Sequence, residues 1–189
     1  MMSEEIRHKL SDRLFHWVMA ILVILLLGTA FFPILGLKFD WVPIHWISGT
    51  LLIAAVLFHL FRAVFVHGLR EMMPTNADFR MSYAPDQKYD ANQKLYHWSV
   101  GTIMLALLVT GGFMMAKIDT PFWKRDPSIL TDWNWGIVYS VHGGASLLLI
   151  FFFILHIYFA VLPEHRALLQ SMVFGKPTKR PDNKSGSSK

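Results

Sequence analysis

The chain has 189 residues, of which 53% are hydrophobic and only 16% charged, short of the roughly 25% charged residues of an ordinary soluble domain. It contains no cysteine, which excludes disulfides, iron–sulfur ligation, thiolate zinc sites and covalent c-type haem attachment. Eighteen Lys and Arg against thirteen Asp and Glu leave a net charge of +5; in so apolar a chain that excess speaks of membrane topology and not of nucleic-acid binding.

The apolar residues gather into four blocks, each about as long as the roughly 20 residues that a bilayer-crossing helix needs. The first runs from Leu14 to Phe32 and ends at Pro33. It is long for the core of a signal peptide, and Phe31-Phe32-Pro33 makes a poor cleavage site. The second runs from Ile44 to Val66, with Pro43 at its entrance. The third runs from Leu95 to Ala116, and the fourth from Ile137 to Leu162, stopping at Pro163. Proline suits the first turn of a helix or the residue just past its end, and lipid forces a spanning backbone to satisfy its own hydrogen bonds. All seven tryptophans lie near block ends, where interfacial anchors sit. The expected fold is therefore an all-α membrane protein, a four-helix bundle over residues 1–175. Residues 176–189 form a Lys/Pro/Ser-rich tail expected to lack structure.

Basic residues set the orientation. The N-terminus, the loop from Arg62 to Lys94 and the tail from Arg166 together carry 14 Lys and Arg, whereas the opposite side has four: Lys38, Lys117, Lys124 and Arg125. The richer side belongs in the cytoplasm. Both termini are expected there, in a multi-pass protein of a bacterial inner membrane.

Of nine histidines, six sit in or beside the spans: His16, His45, His59, His97, His142 and His156. Any one alone is well explained as a hydrogen-bonded interior imidazole, but ionisable groups at membrane depth are costly and tend to be functional. His142 and His156 are 14 residues apart, which places them ~40° apart around a helix and ~21 Å apart along it. His45 and His59 repeat the interval. Two histidines on one face, each opposite a partner, is the pattern that two stacked haems require. Bis-His ligation closes both axial positions while permitting electron transfer. Without cysteine such haems are b-type. Gly49 follows His45 by one turn, and Gly143-Gly144-Ala145 follows His142 directly. These small residues leave room for a porphyrin, or serve close helix packing.

Arg13-Leu-Phe-His16-Trp17 resembles the R-x-x-H-W start of bacterial b561-type cytochromes and hydrogenase cytochrome b subunits. Lys88-Tyr-Asp-Ala-Asn-Gln-Lys94, Leu107-Leu-Val-Thr-Gly111, His142-Gly-Gly-Ala and His156-Ile-Tyr-Phe-Ala160 resemble the cytochrome b (gamma) subunit of membrane-bound respiratory formate dehydrogenases. The likeness covers residues 10–175. It implies a dihaem cytochrome b that passes electrons from an iron–sulfur subunit, itself served by a molybdenum or tungsten catalytic subunit, to the quinone pool (menaquinone or ubiquinone). It further implies His45 and His142 as iron ligands of a periplasmic-side haem, and His16 and His156 as ligands of a cytoplasmic-side haem. A quinone pocket is implied near the latter, where Asp90, Asn92 and Gln93 fall. Asp90 or Asn92 also reads as an ordinary N-cap of the third helix.

The chain departs from this resemblance at two places. His59 and His97 stand where an apolar and an aromatic residue are usual, and either is an alternative ligand to His16. Arg62 suits a haem propionate or a lipid phosphate. The segment His67–Tyr89 is read as a cover over the base of the bundle. The loop from Lys117 to Trp135 suits docking of an iron–sulfur subunit or plain seating by its tryptophans. Hydrogenase or thiosulfate reductase partners would need the same kind of anchor, and a stand-alone b561-type quinone oxidoreductase would need none. The rival class is a histidine-based ion transporter, but no Asp or Glu lies in any apolar block, and transporters tend to use broken helices and buried carboxylates.

Overall fold

The computed structural model describes residues 3–5, 8–67, 73 and 91–180. Four long helices dominate it: α1 (Leu10–Phe31), α2 (Trp41–Arg62), α3 (Ala91–Met114) and α4 (Asp132–Val161). All four are long and apolar enough to cross a membrane. Most of their large apolar side chains point outward, as lipid-facing side chains must. The protein is a multi-pass membrane protein built as a four-transmembrane-helix bundle.

Each helix begins about one turn before its apolar block. Helical hydrogen bonds do not need apolar side chains, so the backbone carries on through the polar and aromatic residues of the interface. For α3 this corrects an expectation: the helix starts at Ala91, so Asn92 lies inside its first turn and is not the cap. α1 ends where Pro33 removes a donor. Gly36, at φ +91°, reverses the chain there and donates to the Pro33 carbonyl at 3.0 Å. α2 admits Pro43 in its first turn and runs on into a π-helical turn, Ala63–His67. α4 opens on Thr131, whose hydroxyl accepts from the Asn134 N–H at 3.3 Å, and Pro163 follows its end.

A short helix α5 (Arg166–Phe174) follows α4 and ends on Gly175, in the left-handed conformation at φ +71°. Strand β2 (Thr178–Arg180) then pairs antiparallel with β1 (Ser3–Glu5), Glu4 opposite Lys179. The fold of the described residues is thus all-α apart from one small strand pair. Residues 181–189, Asp90 and nearly all of the segment read as a cover lie outside the described residues.

The chain forms two compact units, residues 1–21 with 153–189 and residues 22–152. In the larger unit Leu52, Ile103, Ala145 and Leu149 are buried, with Thr29, Ser48 and Thr110 among them. The buried residue of α5 in the smaller unit is Ser171, whose hydroxyl donates to the Leu168 carbonyl at 2.8 Å.

Candidate functional site

In the larger unit the rings of His45 and His142 face each other, centroids 6.4 Å apart. Each is gripped at Nδ1 by a threonine hydroxyl: Thr29 Oγ1 to His45 at 2.8 Å, and Thr110 Oγ1 to His142 at 2.8 Å. Both threonines are buried. Thr29 donates its proton to the Leu25 carbonyl at 2.7 Å, and Thr110 to the Ala106 carbonyl at 2.6 Å. A hydroxyl has one proton and two lone pairs. With the proton spent on the helix backbone, the oxygen accepts from Nδ1–H. This arrangement favours a proton on Nδ1 of both imidazoles, which turns Nε2 towards metal binding.

In the smaller unit His16 faces His156 at 6.1 Å, with Trp17 edge-on to His16 at 5.5 Å. Arg13, one turn before His16, donates from Nε to the Met172 carbonyl at 3.1 Å and from Nη2 to the Val173 carbonyl at 2.6 Å. The guanidinium thus takes up carbonyls left over at the end of α5, where a cation also meets the negative end of the helix dipole. Gly175 is required here twice: its φ is left-handed, and a Cβ would strike the Arg13 guanidinium. The arginine of the R-x-x-H-W motif therefore fastens the start of α1, which carries His16, to the end of α5.

His59 and His97 also face each other, at 6.3 Å within the larger unit. The ring that faces His156 is that of His16, so His59 and His97 come together with one another. Asn92 is exposed and Gln93 half-buried in the first turn of α3, with Lys94 buried beside them. Arg62 lies with its guanidinium 6.0 Å from the Phe58 ring.

Two imidazoles on opposite sides of one iron, with metal–nitrogen bonds of ~2.0 Å and ~1.1 Å from nitrogen to ring centre, have centroids roughly 6 Å apart. The observed separations match. The donor sets match too. Among the described residues no three or more His, Cys, Asp or Glu gather as a metal-ion site. A porphyrin brings four ring nitrogens and asks the protein for only two. Gly143 and Gly144, directly after His142, are exposed, and a Cβ at either would meet nothing within 4 Å, whereas one at Gly111 would lie 3.4 Å from the His142 ring. The residues fit haem b. The threonines and Gly111 are the partners that residue spacing did not reveal, although Thr110 and Gly111 close the Leu107–Gly111 motif.

The loop between α3 and α4 is itself a folded object. Trp123 Nε1 donates to the Met115 carbonyl at 3.0 Å, and Trp135 Nε1 to the Pro127 carbonyl at 2.8 Å. Trp135 is buried, and the Lys117 ammonium lies 4.4 Å from its ring centre, while Phe122 and Trp133 stand exposed. Asp126, outside the spans, is held below the ordinary carboxylate range by the Ser128 hydroxyl and then by the Ser128 N–H.

Residues 7–175 match the family model described as prokaryotic cytochrome b561. Among curated proteins none matches the chain. That match covers all four long helices and all three histidine pairs, and the chain belongs to the prokaryotic cytochrome b561 family.

Proposed function

We propose, from that membership, that this membrane-embedded electron-transfer protein is the anchor subunit of a respiratory dehydrogenase, formate dehydrogenase foremost, between a periplasmic iron–sulfur partner and quinone. The observation that carries the reading is the facing of four histidines in two pairs, at 6.4 Å and 6.1 Å. In this reading His45 and His142 hold the periplasmic-side haem b, and His16 and His156 the cytoplasmic-side one. Haem b, when bound, supplies a one-electron iron couple. With haem bound, the two histidines of each pair would hold it and would leave no place for a substrate or oxygen to bind, which suits electron transfer. Thr29 and Thr110 keep the protons on Nδ1 and strengthen the imidazoles as donors.

Asn92 and Gln93, with Asp90 just before the helix, would offer amide and carboxylate groups to a quinone headgroup, menaquinone or ubiquinone. In this reading the primary substrate is handled by a molybdenum or tungsten subunit. Phe122 and Trp133 on the loop between α3 and α4 would meet the iron–sulfur partner, with both chain termini on the cytoplasmic side. The same anchor would serve a hydrogenase or a thiosulfate reductase.

Purification from native membranes tests the reading. A reduced-minus-oxidised b-type spectrum is expected, with an iron–sulfur protein and a molybdenum or tungsten protein in the same complex. A chain that is isolated alone and reduces quinone unaided would be a stand-alone b561-type oxidoreductase. A folded, haem-free chain that moves an ion would end the reading altogether.

A further inference from the structure

The short helix α5 turns apolar side chains and cations outward together. Ser171 marks its buried side. Leu169 and Val173 lie about 160° round the axis from Ser171, and Arg166 about 140°. Leu169 and Arg166 are exposed, Val173 is half-buried, and Phe174, at the end of the helix, is 68% exposed. Just past that end the Lys176 ammonium stands 5.9 Å from the centre of the Phe174 ring.

The place of α5 in the smaller unit narrows what can cover it. The last span, α4, ends at Val161, and α5 begins at Arg166. Between them Pro163–His165 form one tight turn. The His165 N–H donates to the Leu162 carbonyl at 2.9 Å, and its Nδ1 to the Phe159 carbonyl at 2.8 Å. Four residues in so tight a turn advance the chain by roughly 8 Å, about the depth of the headgroup layer. At its other end α5 is held by Arg13, from the first turn of α1. The helix is thus tethered at both ends to membrane-spanning helices. The charge around it is mostly of one sign: residues 162–189 carry six Lys and Arg against two Asp and Glu. The strand pair sets Glu4 opposite Lys179, with Glu5 and Arg180 balancing in charge, so the excess beside α5 rests on Arg166 and Lys176, and Glu164 is the one acidic residue close before them. Exposed apolar side chains flanked by cations suit the boundary between headgroups and acyl chains, where anionic lipid adds to the hold.

We infer that α5 is a docking surface for anionic phospholipid, lying in the headgroup layer of the leaflet at the chain termini. Leu169 and Phe174 seat among the acyl chains, while Arg166 and Lys176 meet the lipid phosphates. The absence of cysteine allows a nitroxide to be placed at a single position, through Leu169→Cys or Phe174→Cys, in the full-length protein. The variants are reconstituted in nanodiscs of phosphatidylcholine alone or rich in phosphatidylglycerol, and collisions of the label with oxygen and with a water-soluble nickel chelate are compared. With phosphatidylglycerol, oxygen should prevail at both positions; with phosphatidylcholine alone, the balance should shift towards the chelate. Arg166→Gln combined with Lys176→Gln should produce the same shift in the phosphatidylglycerol discs. Native mass spectrometry of the unlabelled protein should show phosphatidylglycerol retained by the wild type and lost from that double variant. Circular dichroism checks that each variant keeps its helices, and if Leu169→Cys does not, the label at position 174 and the mass spectra decide. A label open to the chelate in both lipids overturns the inference. Equal insertion in both lipids overturns it too, because the seat would then be apolar and blind to charge. A label shielded from both reagents would place a protein chain on α5 and overturns it as well. None of these outcomes touches the proposed function, which rests on the histidine pairs.

Discussion

The His45/His142 pair and the His16/His156 pair share a ring separation but are secured by different means. In the larger unit each imidazole is held directly, through a buried threonine on another helix: Thr29 on α1 for His45, Thr110 on α3 for His142. In the smaller unit the fastening lies one turn from the ligand. Arg13 ties the start of α1 to the last carbonyls of α5, and His16 is positioned with the helix that carries it. The first device fixes a tautomer and a ring orientation. The second fixes a helix end. Substitutions at the two should therefore fail differently, one in the electronic character of a haem and the other in the stability of a unit.

The largest effect is expected from the ligands. His45→Ala and His142→Ala should each remove one haem, and the same one, because in the proposed function the two facing rings would hold a single iron. Redox titration of the two variants should lack one identical component, while His16→Ala lacks a different one. Loss of different components from His45→Ala and His142→Ala would break the pairing on which the comparison rests.

Arg13→Ala comes next. It removes two hydrogen bonds from a charged donor, each worth about 1.5–3 kcal/mol, the total reduced because the group is only partly buried. A fall in thermal stability of about 2 kcal/mol is expected. Arg13→Lys should recover little, since an ammonium lacks the fork that reaches two carbonyls. Gly175→Ala should reproduce the loss from the other side, through its left-handed backbone and the guanidinium in its way. Thermal unfolding followed by circular dichroism checks all three; an Arg13→Ala variant as stable as the wild type would show that the fastening contributes nothing.

The four spans were legible in the sequence because lipid imposes one rule, long apolar stretches, and block length and proline report it directly. The helix starts were not, since Trp41, Ala91 and Asp132 carry the backbone into the interface without an apolar signature. Histidine spacing along α2 and α4 marked candidate ligands but could not say which ring meets which. His59 illustrates the limit: its interval from His45 suits a partner opposite, yet its ring meets His97. Thr29 and Thr110 were invisible for a further reason. A threonine in an apolar helix looks like a residue that bonds its own backbone, which both also do, and only the approach of a second helix turns its lone pair to a histidine. The strand pair at the termini left no pattern, being three residues on each side.

Thr110→Val sharpens the contrast at smaller scale. The replacement keeps the shape and removes the threonine acceptor, leaving His142 only its hydrogen bond to the Leu107 backbone, at a cost of about 1 kcal/mol. A weaker hydrogen bond at Nδ1 makes the imidazole a poorer donor to iron, which favours the reduced metal. The potential of the haem at His45/His142 should rise and its affinity fall roughly 10- to 100-fold, with the His16/His156 component unmoved. Thr110→Ser should behave as the wild type. An unchanged potential in Thr110→Val would mean that the hydroxyl has no part in tuning the iron.

The smallest effect belongs to a group far from either pair's fastening. Asp126 precedes the turn that leads into α4, and its Oδ1 accepts from the Ser128 hydroxyl at 2.5 Å and the Ser128 N–H at 3.0 Å. These bonds favour the carboxylate and depress its pKa. A carboxylate with a lowered folded pKa contributes stability that is present above its unfolded pKa and is lost as pH falls through the folded one. Protection of the Ser128 amide from hydrogen exchange should therefore hold at neutral pH and fall away below the ordinary carboxylate range. Asp126→Asn should show the weaker protection already at neutral pH, because a neutral amide oxygen is the poorer acceptor. The b-type spectrum should stay the same in both experiments, since neither device that positions a histidine passes through this turn. A change in the haem potentials on Asp126→Asn would show that the turn after α3 bears on the histidine pairs, and would undo the separation between the loop and the two fastenings.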